Sequence, residues 1–342
     1  MISLAIWVDK AYDNDKLFEK NSLLNRDNCL APFHHLKDKI EEAGGACHTQ
    51  DIFQMQDSIP DAVVFLDIPQ KPVSQFLGNW DGNTRKYVIL QECEVVIPRN
   101  WDIKMHEQFD KIFTWHDQFV DDNKYIKLNF SQNISHSIHK DPSLKKKMCT
   151  MIAGNKQADH PLELYSKRLE AILWFEKNAP DDFDLYGMKW DTYELAGIKL
   201  PYKFGRFAPT KYLTQPQFPT YRGSVKVKKE VLERYKFAIC YENARDIPGY
   251  ITEKIFDCFM AGCIPVYWGA NNVTKYIPPE CFIDRKDFSS YEELYQFLRK
   301  LTSHEVEEYL SNIECFLKGN KAKMFSSEHF SDVIIQHIGV SD

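Results

Sequence analysis

Residues 235–269, YKFAICYENARDIPGYITEKIFDCFMAGCIPVYWG, limit the possible folds of this chain more than any other stretch. The run 237–241 is apolar throughout and reads as a buried strand, with Glu242 and Asn243 at its carboxyl end. A polar loop over 244–249 follows. A helix then begins somewhere between Pro248 and Glu253, with Thr252 as its expected cap. Ile255, Phe256, Phe259 and Met260 form one face of that helix, while Tyr250, Glu253, Lys254 and Asp257, at i, i+3, i+4 and i+7, form another. A second apolar run closes a β-loop-α-β unit. The amino end of a helix presents free N–H donors and a partial positive charge, so it receives phosphate well. Lys254 adds a full cation in the first turn, and the Glu253 carboxylate can accept hydrogen bonds from ribose hydroxyls. The spacing suits a nucleotide with a phosphate chain. It suits equally an ordinary capped helix with an exposed Glu-Lys pair, and the pattern leaves both readings open.

The rest of the chain supplies a setting for this unit. Strand-like runs at 4–8, 62–68, 87–91, 111–115 and 125–130 alternate with helical or loop segments, among them a helix over 34–43 stopped by Gly44 and Gly45. Such alternation predicts a parallel sheet covered on both faces. The polar stretch 131–147 has no apolar period and reads as a linker, with Lys145, Lys146 and Lys147 as a solvated cluster. Alternation then restarts with a strand at 148–153, a helix at 165–178 and a strand at 183–186. A Pro-rich loop over 201–219 is too long for a plain connector, and helices follow at 291–301, 305–317 and 329–338. A chain of 342 residues suits two domains. Two α/β halves joined by a linker predict a ligand in the cleft, at the carboxyl ends of the strands.

Composition narrows the function classes. The formal net charge of −6 argues against nucleic acid as a partner, because neutralising phosphates needs a basic face. Nine cysteines form no CxxC pair, and Cys149, Cys240, Cys258 and Cys263 sit in apolar runs, as buried free thiols would. No run is long and apolar enough to span a bilayer, and the short run 2–8 reads as a first strand rather than a signal segment. The expectation is a cytoplasmic protein with, at most, peripheral contact at the inner membrane face. The histidines show no zinc-ligand spacing. Asp13-Asn14-Asp15 and Asp182-Phe183-Asp184 spell the acidic triplet of metal-dependent sugar transfer, yet such triplets arise readily by chance among 49 acidic residues, and both read as structural. Trp115, Tyr186 and Trp190 read as core.

The blocks YKFAICYEN (235–243) and GYITEKIFDCFMAGCIPVYWGA (249–270), with the looser CFIDRKDF (281–288), resemble the α-1,3-fucosyltransferases, family 10 of the glycosyltransferases. The likeness extends weakly over 148–330, and the first half agrees mainly in architecture. The resemblance implies the GT-B arrangement: α/β throughout, with two Rossmann-like domains whose parallel sheets face each other across a cleft. Residues 1–135 would then bind the acceptor, 136–147 would link, 148–325 would bind a GDP-sugar, and 326–342 would form a C-terminal helix able to pack back on the first domain. It further implies GDP-fucose as donor, inversion at the sugar carbon, and no metal or other cofactor. Carried onto matching positions, Glu253 would hold the ribose and Lys254 the diphosphate, with Asn243 and Tyr250 lining the donor pocket. The segment LYSKRLEAILWF (164–175) resembles the family helix whose arginine contacts the diphosphate, which points to Arg168. Lys228, in SVKVKKEVLERYKF (224–237), lies where a further lysine is common.

Inverting transfer needs a base for the acceptor hydroxyl and cations or N–H groups for the departing diphosphate. Arg168 and Lys254 are the expected cations. The family places the base after a strand that opens toward the cleft; here 86–90 runs into Gln91-Glu92-Cys93-Glu94, so Glu92 is the expected base and Glu94 the alternative. An exposed carboxylate at a strand end is the competing reading. The expected reaction moves L-fucose onto a hydroxyl of a glycan, α-1,3 to a GlcNAc-type residue, with a lipid-linked glycan as another acceptor form. The rivals are the same chemistry with another GDP-deoxysugar for surface polysaccharide, and a non-catalytic protein that binds nucleotide sugars or glycans.

Overall fold

The computed structural model describes residues 2–135, 138, 140, 145–195, 198–201 and 218–339. In the first half, β1 (Ser3–Trp7), α1 (Ala31–Glu42), β2 (Ala46–Thr49), α2 (Gln50–Met55), β3 (Ala62–Leu66), α3 (Ser74–Leu77), β4 (Arg85–Leu90), α4 (Ile103–His106), β5 (Lys111–Thr114) and β6 (Tyr125–Lys127) follow in order. Their six strands form one parallel sheet, β2-β1-β3-β4-β5-β6. Ala62, Val63, Val64 and Phe65 of β3 are all buried, as expected of a strand with both faces covered. β2 lies outside the predicted runs. Its sequence, ACHT, is short and half polar, and it is a strand because it pairs in register with β1 at the sheet edge.

The second half contains β7 (Lys147–Ile152), α5 (Tyr165–Asn178), β8 (Phe183–Tyr186), β9 (Thr192–Leu195), β10 (Ile198–Pro201), α6 (Lys228–Leu232), β11 (Tyr235–Tyr241), α7 (Glu253–Met260), β12 (Ile264–Trp268), α8 (Val273–Tyr276), β13 (Ile283–Asp284), α9 (Tyr291–Lys300), α10 (Ser303–Lys318), α11 (Asn320–Lys323) and α12 (Ser327–Ile338). A second parallel sheet runs β13-β12-β11-β7-β8. Sequential strands diverge on either side of the β7–β11 pair, which makes the carboxyl ends of those strands a topological switch point. An antiparallel pair, β9 with β10, stands apart and falls outside the predicted strands. Most of the Pro-rich loop, residues 202–217, lies outside the described residues.

Lys147 corrects the end of the predicted linker, although its side chain stays exposed. It opens β7 rather than a linker, and its Nζ lies 3.1 Å from the buried Asp184 carboxylate. Asp184 also accepts Tyr235 Oη at 2.6 Å and pairs with Arg222 Nε at 2.7 Å, so this acidic triplet is tied into the sheet. In the other triplet, Asp15 receives the Thr49 N–H at 2.8 Å and Asp13 receives Gln50 Nε2 at 3.1 Å. Cys149, Cys240, Cys258 and Cys263 are buried and unpaired by disulfides. Among the described residues, no helix is long and apolar enough to cross a membrane.

α12 returns to the first half of the chain. Phe330, Ile334 and Ile338 enter the core formed by Phe33, Leu36 and Ile40 of α1 with one face of the first sheet. Phe330 meets Phe33 edge to face at 5.4 Å. Burying each such side chain contributes about 1.5–3 kcal/mol, so three of them tie the end of the second half firmly to the first. Beneath the cleft a smaller apolar cluster joins Cys93 and Trp115 from the first half to Ala244, Ile247 and Tyr250 from the second.

Candidate functional site

β11 is the central strand of its sheet and carries Glu242 and Asn243 straight to the switch point. The Glu242 N–H continues the ladder, donating to Trp268 O at 2.8 Å, so this residue has no freedom to swing outward. Its carboxylate is fully buried. It accepts the Thr252 N–H at 2.8 Å and the Thr252 hydroxyl at 2.7 Å, and lies 3.1 Å from Lys254 Nζ. A buried carboxylate needs such saturation, since burying an unpaired charge is strongly unfavourable. Thr252 is the N-cap residue of α7, as expected, with its side chain bonded to Glu242 rather than to the helix. The helix also starts at Glu253, so Tyr250 belongs to the preceding loop rather than to a helical face.

Around this anchor the charges alternate. Lys254 Nζ sits between Glu242 and the Glu253 carboxylate, 3.4 Å away. Burial alone would lower the Lys254 pKa, but these two carboxylates raise it above the ordinary lysine value. Burial would raise Glu253, yet Lys254 and Lys228 pull it down to about 2, so it is an anion across the neutral range. Lys228 reaches in from α6, with Nζ 2.7 Å from Asp257 and 3.8 Å from Glu253. Those carboxylates outweigh burial and push it up to about 12. Arg168 stands on the inward face of α5. Its Nη2 donates to Tyr241 O at 2.7 Å and Asn243 Oδ1 at 3.0 Å, and its guanidinium lies over the Tyr165 ring. The Leu164 N–H, donating to Asn243 O at 3.0 Å, fixes the start of α5 against the end of β11.

The first half closes the opposite wall. Glu92 follows β4 and is half-buried at the cleft. Burial raises its pKa, the negative charge of Asp67 raises it further, and Lys254 counters in part. Glu94 faces elsewhere, with Oε1 3.5 Å from His160 Nε2. The loop carrying Leu24, Arg26 and Asp27 overhangs the site. Asp27 Oδ1 receives the Lys228 N–H at 2.9 Å and Arg26 Nη2 donates to Val225 O at 3.0 Å.

Between these walls lies a cavity of about 550 Å³, and Glu92, Arg168, Lys228, Asn243, Tyr250, Glu253 and Lys254 all line it. Glu94 does not. Tyr250 contributes only an edge, because its ring is buried 4.7 Å from that of Trp115. Three residues that shape the site were given no role by the sequence. Glu242 lay inside the quoted YEN block, and its signal was an acidic residue ending an apolar strand. Asp67 and Asp117, discussed below, act through contacts distant in sequence and gave no local signal. Among the described residues no group of three His, Cys, Asp or Glu side chains is arranged to hold a metal ion. The cavity thus sets a cationic wall, with the amino end of α7, against a carboxylate on the facing sheet. That arrangement can stabilise a departing phosphate while removing a proton opposite it.

Comparison with known proteins adds a likeness of sequence and of fold. Residues 205–320 match the model described as glycosyltransferase family 10 (fucosyltransferase) C-term. An alpha-(1,3)-fucosyltransferase, FucT, of Helicobacter pylori is 39% identical over 82 residues, covering 24% of this chain and 17% of that protein. An alpha-(1,4)-fucosyltransferase of Arabidopsis thaliana is 36% identical over 94 residues, covering 27% of this chain and 23% of that one. The chain thus spans less than a quarter of the length of these curated relatives. A crystal structure of an alpha1,3-fucosyltransferase with GDP superposes with a TM-score of 0.54 at 16% identity, over 99% of this chain and 91% of that one, which shows a shared two-domain GT-B fold. The donor-side segment of this chain, residues 205–320, is thus similar to the C-terminal domain of glycosyltransferase family 10, the fucosyltransferases.

Proposed function

We propose that this protein transfers L-fucose from GDP-fucose to a hydroxyl of a glycan, with inversion at the sugar carbon and with a GlcNAc-type residue, through its 3-hydroxyl, as acceptor. The observation that carries this reading is the single cavity shared by Glu92 on one domain and Arg168, Lys254 and Glu253 on the other. In this reading Glu253 accepts hydrogen bonds from the ribose hydroxyls, while Lys254, Arg168 and the amino end of α7 take the diphosphate. Asn243 and Tyr250 shape the donor pocket and Lys228 holds Glu253 in place. The acceptor oxygen bonds to the anomeric carbon as that carbon's bond to the diphosphate oxygen breaks. GDP leaves with the electron pair, and the hydroxyl proton passes to Glu92.

The cationic wall supports a reaction in which side chains rather than a metal carry the leaving-group charge. The relatives are named for α-1,3 and α-1,4 transfer, so the linkage is the open variable. The test is GDP release from GDP-fucose against a panel of Gal/GlcNAc-type disaccharides, free and lipid-linked, with product linkage and anomeric configuration read by NMR. Acceptor-dependent release giving an α-linked product is expected, unchanged by EDTA. Binding of GDP-fucose without release for any acceptor would favour a non-catalytic binding protein, and a rate abolished by EDTA would reject the metal-free mechanism.

A further inference from the structure

We propose that Asp67, together with Asn100, is the positioning residue that holds Glu92 for proton abstraction; the inference rests on Glu92 being the base of the proposed transfer. Asp67 sits just after β3 with φ at +61°, a left-handed conformation in which Asp is tolerated. This turn brings its carboxylate under the end of the neighbouring strand β4. Oδ1 accepts the Gln91 N–H at 2.6 Å, the Glu92 N–H at 3.1 Å and Asn100 Nδ2 at 2.6 Å. Asn100 is fully buried, and its Nδ2 also donates to Glu92 O at 3.1 Å while its Oδ1 accepts the Ile68 N–H at 2.9 Å. Trp101 Nε1 donates to the same Glu92 carbonyl at 3.3 Å, and Trp115 Nε1 to Gln91 O at 3.1 Å. The peptide groups on both sides of Glu92 are therefore fixed.

The Glu92 carboxylate, by contrast, has no hydrogen-bond or ion-pair partner among the described residues, and it lines the cavity. A fixed backbone under a free side chain is what a preorganised general base requires. Asp67 also acts through its charge. The groups that face Glu92 are Asp67 and Glu253, which oppose its ionisation, and Lys254 and Lys156, which favour it. Tyr165 and Tyr250 stand nearby and remain neutral, their pKa values raised by burial. Asp67 thus makes the base stronger as well as holding it.

The test compares Asp67→Asn, which keeps the hydrogen-bonding shape and removes the charge, with Asp67→Ala, which removes both, and with Glu92→Gln. GDP release from GDP-fucose is followed with N-acetyllactosamine as acceptor and, without it, with water as acceptor; GDP affinity is measured by calorimetry. Asp67→Asn should move the acidic limb of the kcat profile down by about half to one pH unit with donor KM unchanged. Asp67→Ala should lower kcat by roughly 10–100-fold, less than the roughly 10²–10⁴-fold of a whole general base because Glu92 itself remains, with GDP affinity retained. Loss of GDP affinity in parallel with kcat for both Asp67 variants would mean a merely structural role and overturn the inference. If Glu92→Gln is inactive while both Asp67 variants behave as the parent, the positioning role is wrong and the base assignment stands. If Glu92→Gln keeps its rate, or the parent releases no GDP in either arm, the transfer reading fails and this inference with it.

Discussion

At the scale of single residues the site depends on one fully buried carboxylate. Glu242 touches no ligand in the proposed reaction, yet it fixes both the loop entering α7 and the ammonium group of Lys254. Replacing Lys254 with Ala removes the cation and leaves Glu242 buried without it, a loss of about 3–5 kcal/mol for a broken buried pair. The expected outcome is a large drop in melting temperature together with weaker GDP binding. Glu242→Gln removes the charge while keeping an acceptor for Thr252, so it should destabilise less and still weaken GDP. The double variant, measured by urea unfolding, should be non-additive, since the two side chains share one interaction. The carboxylates also set pH limits. A base must be ionised, so the raised Glu92 pKa predicts a kcat/KM that falls with acid above the ordinary value of 4.5, and this limb should vanish with the activity in Glu92→Gln. Glu253 has the opposite sign: folding depresses its pKa from 4.5 to about 2, so the stability it contributes is present above 4.5 and lost as pH falls through 2. Acid unfolding followed by circular dichroism should shift to higher pH in Lys228→Met, which removes one of the two cations responsible.

At the scale of elements, the loop between β11 and α7 is shaped by what it touches across the cleft. Gly249 has φ at +85°, and a Cβ there would lie 2.3 Å from Trp115 O. Gly249→Ala should therefore destabilise the protein by roughly 2–4 kcal/mol through backbone strain and collision, and calorimetry should show weaker GDP binding because the loop carries Tyr250 and Thr252. Much at this scale was legible in the sequence. α5 and β8 fall on their predicted bounds, because a long amphipathic period and a compact apolar run each declare themselves locally. β2 did not, since its four residues depend on pairing with β1 rather than on their own pattern. Thr252 stands at the expected cap position, but its hydroxyl bonds the buried Glu242 rather than the helix end, a partner the local pattern did not show. The clustering of Arg168, Asn243, Glu253 and Lys254 was reached through the family blocks, whereas Asp67 has no such motif and is defined only by the strand lying beside it.

For the whole molecule, the two halves are joined by a polar latch as well as by the apolar cluster under the cleft. Asp117, from the first half, accepts Asn272 Nδ2 at 2.6 Å and the Tyr276 hydroxyl from the second, pairs with Lys127 at 2.6 Å, and donates its own N–H to Pro248 O at 3.2 Å. Although burial would raise it, these partners hold the Asp117 carboxyl below the usual range. Asp117→Ala strands Lys127 and frees the loop before Tyr250; a loss of about 2–4 kcal/mol is expected, with urea unfolding separating into two steps. Two α/β halves around a cleft could be read from alternation alone. The latch could not, because Asp117 meets Asn272 and Tyr276 across more than 150 residues of chain. The same separation gives α12 a consequence for biosynthesis. The first sheet is complete once residue 127 has left the ribosome, but Phe330, Ile334 and Ile338 have yet to be translated. Until they arrive, the apolar face of α1 that they cover has no native partner. The second sheet, contiguous from 147 to 284, can close before that face is sealed. The nascent chain would then mature in reverse order of synthesis, with its amino-terminal domain finished last.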